Sequence, residues 1–184
     1  MRRRLIILSD LWGVNKSQWV DLYLAELNSC FEVKYYDCCE LGDVRKSVYT
    51  EEHLHHQFVS GGIERAVEKL TKLEPEHVAV LAFSIGGTIA WRFGLKTQRV
   101  DSMYCVSSTR LRFENTSPIS SIALFYGEKD EHKPQQDWFR QMGIVPEIVK
   151  EGEHLIYAEP EFAKRLCKRI QQSIQAKAPT CNRQ

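Results

Sequence analysis

Ser84 is the residue in this chain best placed to act as a nucleophile. It closes the stretch V-A-V-L-A-F-S-I-G-G-T over residues 78–88, where six small or apolar residues run into a serine and two glycines follow. The pattern is close to G-x-S-x-G, with Ala82 in the first glycine position and Gly86 in the second. In that motif the serine is held in a strained turn between a strand and a helix, and the flanking residues must be small because the two elements approach each other there. Such a turn also puts the backbone N–H of Ile85 at a helix N-terminus, where the dipole favours a developing negative charge. Taken alone, a serine in this setting also fits an ordinary turn residue or a helix N-cap.

A hydroxyl is a weak nucleophile until a base accepts its proton, and the base needs a carboxylate to fix its tautomer. Two further residues fit those roles by position. Asp130 lies in G-E-K-D-E-H-K-P (residues 127–134), after an apolar stretch over 122–126, and His154 lies in G-E-H-L-I-Y-A-E-P (residues 152–160), after a stretch over 145–150. His132 shares a turn with Asp130 and is badly placed to receive an oriented hydrogen bond from it. His77 begins the central strand at its opposite end. Glu128 and Glu131 flank Asp130 and are alternatives to it, though the turn position favours the aspartate. Cys105, the one cysteine that invites a nucleophilic reading, lies inside an apolar strand with no base beside it, which makes it buried and inert.

The elements that must hold these residues alternate along the chain. Residues 5–8, 31–36, 78–83, 102–106, 122–126 and 145–150 read as strands, the third as a strand buried on both faces. Between them lie helical patterns: one through Trp19, Leu22, Tyr23 and Leu27 with Ser17 as its N-cap, and one after Gly61 and Gly62 that buries Ile63, Ala66, Val67 and Leu70. The helix after Ser84 is apolar around most of its circumference, with Trp91 in the core. A further helix covers residues 135–142, and a last one carries Phe162, Leu166 and Ile170. Alternation of this kind predicts a three-layer α/β/α sandwich whose mostly parallel sheet has about six strands, each ligand-binding residue at a strand's carboxyl end. Residues 37–60 are long for a connection, and residues 50–59 predict a short helix lying over the site. That helix carries His53, His55 and His56; the first and last share a face, but no third ligand accompanies them, so a solvated surface is the expectation and no metal or cofactor is called for.

At 184 residues the chain suits one domain, taken as 1–175, with an unpatterned tail over 176–184 expected to be disordered. Twenty-five Lys and Arg against 24 Asp and Glu give a net charge of +1, with no electrostatic footprint for nucleic acid or an anionic membrane. The opening R-R-R-L-I-I-L is interrupted by Ser9 and Asp10, too soon for a signal peptide or a membrane span. Six cysteines without a C-x-x-C pair indicate reduced thiols and a cytoplasmic setting.

The order Ser84, Asp130, His154 is that of α/β-hydrolases. A-F-S-I-G-G resembles the G-F-S-x-G-G elbow of dienelactone-hydrolase-like and carboxylesterase-like members of that superfamily, and residues 127–134 and 152–160 are similar to their acid turn and histidine loop. The resemblance implies a small, cap-less member that begins near the family's third strand, since the 107–119 connection is too short for a helical lid. It makes Ser84 the nucleophile, His154 the general base and later acid, and Asp130 its orienting carboxylate. The oxyanion hole would combine the Ile85 N–H with a donor from S-D-L-W-G, from Leu11 or Trp12; Asp10 and Leu11 stand where family members often carry His-Gly. The implied activity is hydrolysis of a small-molecule ester or thioester through an acyl-enzyme. Two alternatives accompany it: a lyase or C–C hydrolase on the same scaffold, and a ligand or partner binder with a degenerate elbow.

Overall fold

A computed structural model describes residues 2–176. Six parallel strands form one sheet in the order β2-β1-β3-β4-β5-β6: β1 (Arg3–Leu8), β2 (Phe31–Tyr36), β3 (Val78–Phe83), β4 (Val100–Val106), β5 (Ser121–Gly127) and β6 (Glu147–Val149). The two-residue period of the strands assigns alternate side chains to two cores. Leu5 and Ile7, Leu81 and Phe83, Tyr104 and Val106 face one layer; Ile6 and Leu8, Val80 and Ala82, Met103 and Cys105 face the other. β3 is apolar at every position because both of its faces are covered.

The first layer holds α1 (Val20–Leu27) and α7 (Pro160–Ala176), which pack on each other. The second is built mainly from α4 (Ile63–Leu73) and α5 (Ile85–Thr97), joined by the short α2 (Cys38–Leu41), α3 (Glu51–Gln57) and α6 (Gln136–Met142). α4 buries Ile63, Ala66, Val67 and Leu70, a single stripe, whereas α5 buries Ile85 to Trp91 without a break as well as Phe93 and Gly94. Trp91 is fully buried, its Nε1 donating to Thr116 O at 2.9 Å. The sequence expectations for strands and helices hold to within a few residues at their ends.

One local expectation fails, and one strand is shorter than expected. Ser17 does not cap α1, which starts at Val20 with Trp19 in the capping position; its hydroxyl instead donates to Gly13 O at 2.5 Å and lies 3.3 Å from Asp10 Oδ1, because it is buried beneath a loop that needs a donor there. The last strand spans only three residues, since Val145 is almost wholly exposed ahead of Pro146. The long 37–60 connection contains α2 and α3, and Thr50 caps α3 by accepting the His53 N–H. Of the tail expected over 176–184, Ala176 ends α7 and residues 177–184 lie outside the described residues.

Candidate active site

Ser84 leaves β3 and enters α5 with φ 49° and ψ −116°, a positive-φ conformation costing an L-residue about 1–3 kcal/mol. Its amide donates to Val106 O on β4 at 2.9 Å, which ties the turn to the sheet. Gly86 is required by close approach: a Cβ there would lie 2.5 Å from Ser9 O, at the end of β1. Ala82 sits fully buried between Leu8 and Cys105, so the methyl that departs from the G-x-S-x-G pattern is accommodated inside the sheet. Although Ser84 occupies the N-cap position of α5, its side chain makes no capping bond.

The hydroxyl points instead to His154, whose Nε2 lies 3.2 Å from Ser84 Oγ. On the other side of the ring, Nδ1 lies 2.8 Å from Asp130 Oδ2. A carboxylate only accepts, so the proton on this imidazole belongs on Nδ1, and the Nε2 lone pair is left to receive the serine proton. Asp130 is almost fully buried, its other oxygen accepting the His132 N–H at 3.2 Å, while the His154 side chain is 39 % exposed and open to solvent. The loops that carry this pair are pressed together: a Cβ on Gly127 would lie 2.3 Å from Glu153 O, and Lys129 N–H donates to Gly152 O at 2.8 Å. Sequence reasoning selected these three residues, and the fold brings them into one hydrogen-bonded line.

Of the residues set aside, His132 joins the line only through its backbone N–H to Asp130. His77 pairs with Asp101 through Nδ1 at 2.8 Å at the far end of the sheet, and Glu128 accepts the Glu151 N–H at 2.9 Å. Burial in the strand pushes the Cys105 thiol up to about 12, as expected for an inert cysteine. Among the described residues no group of three or more His, Cys, Asp or Glu is arranged to hold a metal, His53, His55 and His56 included.

The loop after β1 lies alongside the elbow. Ile85 and Leu11 each present a backbone N–H for which the described residues offer no acceptor, whereas the Trp12 N–H already donates to Asp10 Oδ1 at 2.9 Å. Of the two donors expected from this loop, Leu11 is therefore the one left available. Trp12 itself packs edge-on against Tyr49, whose hydroxyl donates to Trp12 O at 2.5 Å, with Lys16 Nζ 3.8 Å from its ring centroid. The loop is gripped from behind by residues the sequence did not single out. Asp37 accepts from Val14 N at 2.9 Å and Cys39 N at 2.7 Å; the Cys38 and Cys39 thiols donate to Ser9 O and Leu11 O at 3.0 and 3.3 Å. Asp37 ahead of C-C-E-L is a legible helix N-cap, but its second task, on the Val14 amide, has no local signal.

Asp10 is the least expected member of this region. It is 1 % exposed and accepts from Trp12 N–H, Ser17 Oγ and Tyr157 OH, the last at 3.2 Å. Burial pushes its carboxyl up to about 6, against the pull of those donors and of the nearby His154 ring. Tyr157 stands on the same turn as His154 (His154–Ala158), so Asp10 links the loop after β1 to the histidine loop.

No family model and no curated protein matches the chain by sequence. Solved structures do match its shape. A predicted CIB-like hydrolase from Thermoplasma acidophilum is 18% identical with a TM-score of 0.67, covering 93% of this chain and 87% of its own. Carboxylesterase CesB from Bacillus subtilis is 17% identical with a TM-score of 0.66 over 96% and 85%. The alpha/beta hydrolase domain-containing protein 10 from mouse is 12% identical with a TM-score of 0.70 over 95% and 90%. At these identities the likeness is one of fold. A parallel six-strand sheet covered on both faces, shared over nearly the whole length of such structures, makes this chain an α/β-hydrolase-fold protein in minimal form.

Proposed function

We propose that the protein is a serine hydrolase that cleaves a carboxylic ester or thioester of a small molecule through an acyl-enzyme on Ser84. The observation that carries this reading is the line Ser84 Oγ, His154, Asp130, at 3.2 and 2.8 Å, attached to a serine held at positive φ. In the first half-reaction Ser84 Oγ attacks the substrate carbonyl carbon as its proton passes to His154 Nε2. The tetrahedral oxyanion is received by the Ile85 and Leu11 amides. Collapse breaks the bond to the alcohol or thiol, which departs with the proton from His154. Water then gives a proton to the same nitrogen and attacks the acyl carbon, and collapse returns the proton to Ser84 Oγ and releases the acid. Asp130 keeps the ring in the working tautomer and stabilises the imidazolium. A nearly half-exposed histidine fits an open site and an accessible acyl group. The carboxylesterase among the structural neighbours is consistent with ester chemistry.

Among the described residues no helix is long and apolar enough to cross a membrane. The free thiols of Cys30, Cys38, Cys39, Cys105 and Cys167 suit a reducing compartment, and we assign the protein to the cytoplasm on that basis.

Labelling with a fluorophosphonate, followed by peptide mass spectrometry, tests the proposal without knowledge of the substrate. Stoichiometric adduct on Ser84 is expected, absent in Ser84→Ala and His154→Ala and slowed by roughly 10³ or more in Asp130→Asn, which reverses the tautomer. Folded protein that takes no label would refute the serine-hydrolase reading.

A further inference from the structure

The rim of the site on its β4 side carries positive charge that its surroundings leave unpaired. β4 ends beside the Ser84 amide, and Ser108 packs on the start of α5 so closely that a Cβ on Gly87 would lie 1.8 Å from its Oγ. The next turn, Thr109–Phe113, thus stands at the same end of the sheet as Ser84 and presents Arg110, Arg112 and Phe113. Phe113 is 55 % exposed, with the Arg110 and Arg112 guanidinium carbons 4.9 and 4.4 Å from its ring centroid. Arg112 Nη1 donates to Thr109 O at 2.9 Å and to His132 O at 3.2 Å, and the His132 amide in turn donates to Asp130.

Among the described residues neither guanidinium has a carboxylate within ion-pair distance, and Arg110 Nε is buried without an acceptor. Two acids that act on Arg110 are taken: Glu64 and Glu114 both pair with Arg92, at 2.5 and 2.8 Å. His55 of α3 faces the same two arginines, with Glu51 and His56 as its other charged neighbours; burial and the arginine charges hold its pKa down. Burial, Arg112 and Arg92 likewise lower that of Arg110, against partial support from Glu114 and Glu64. Leaving a part-buried guanidinium unpaired is costly, and its planar fork matches an oxyanion better than any other common ligand.

We infer that Arg110 and Arg112, with Phe113 between them, bind a carboxylate or phosphate group carried by the ester or thioester that Ser84 attacks. The inference rests on the serine-hydrolase reading for the reaction, though not for the binding site itself. The substrate class is therefore an anionic acyl compound whose charged end stays at the open rim while its carbonyl reaches the elbow.

The test compares p-nitrophenyl esters of one chain length that end in a free carboxylate, a phosphate or a methyl ester. The kcat/KM ratio of anionic to neutral ester is expected to be about ten or more, because hydrogen bonds to charged groups are worth that much or more in affinity. Arg110→Gln and Arg112→Gln should each lower the ratio by roughly tenfold, Arg110→Lys should keep part of it, and high ionic strength should erase it. Whether the carboxylate or the phosphate ester gains more identifies the group. A ratio near one in the unmodified protein, or one that neither folded variant moves, overturns the inference. Should no ester be turned over and no fluorophosphonate adduct form, calorimetric titration with glutarate and with inorganic phosphate decides separately. Binding lost in the Arg110→Gln/Arg112→Gln double variant upholds the anion site, and absence of binding to the unmodified protein refutes it.

Discussion

Replacing Asp10 by Asn should make the protein more stable at neutral pH while making it a poorer catalyst. The carboxyl is 1 % exposed, and burial raises its pKa from 3.8 to about 6. A raised carboxyl pKa means that the folded state holds the proton more tightly than the unfolded chain does. Below pH 3.8 both states are protonated, and the burial penalty on the charge is absent. As pH climbs toward 6 the unfolded chain ionises freely while the folded protein resists, so stability falls across that window and stays lower above it. Two pKa units at 1.36 kcal/mol each make the loss about 3 kcal/mol. Asn keeps the shape and can still accept the Trp12 N–H, but it carries no charge to bury. Urea unfolding over a pH series should show Asp10→Asn more stable by about 2–3 kcal/mol at neutral pH, equivalent to roughly 4–12 °C in Tm, with the gap closing by about pH 4. The same substitution removes a negative charge close to His154, so ester turnover or fluorophosphonate labelling should slow as stability rises, the trade expected where a buried charge serves function. A stability difference that stays constant from acid to neutral pH, or a variant less stable at neutral pH, would mean that the Asp10 charge carries no burial penalty.

Two further substitutions probe the same scaffold. Gly87→Ala puts a Cβ 1.8 Å from Ser108 Oγ and 2.4 Å from Ser108 Cβ, so it should destabilise the fold by about 1–3 kcal/mol in urea titrations and slow labelling of Ser84; Ser108→Gly in the same chain should restore part of both. Tyr157→Phe removes a hydroxyl that donates to Asp10 Oδ2 and helps to hold its pKa down, so the Asp10 titration, followed by carbon NMR of the carboxyl, should move above that of the unmodified protein.

Most of the architecture was legible because its signals are local. The continuous apolar run of β3 reports burial on both faces, and the stripe Ile63, Ala66, Val67 and Leu70 reports a helix covering a sheet. Ser84 announced itself through its small neighbours, which the close approach of Ser9 O to Gly86 requires. Asp130 and His154 were readable because each follows a strand, and parallel strands deliver their carboxyl ends to one side of the sheet. The expectation of Ser17 as a cap failed because propensity at a helix start yielded to the preceding loop, whose Gly13 carbonyl and buried Asp10 take the hydroxyl.

The strand and helix alternation, the turn that strains Ser84 and the three residues at strand ends could be read along the chain, since hydrophobic period and turn chemistry are written in neighbouring residues. Tertiary structure alone decided which groups share an environment. An aspartate at position 10 looks no different in sequence from a solvated one; its contact with Tyr157 exists only once the loop after β1 and the turn after β6 lie side by side. Arg110 and Arg112 read as ordinary surface charges until folding commits Glu64 and Glu114 to Arg92 and leaves the two guanidiniums without a carboxylate partner among the described residues. Desolvation and charge pairing depend on residues distant in the chain, and only the packed fold brings them together.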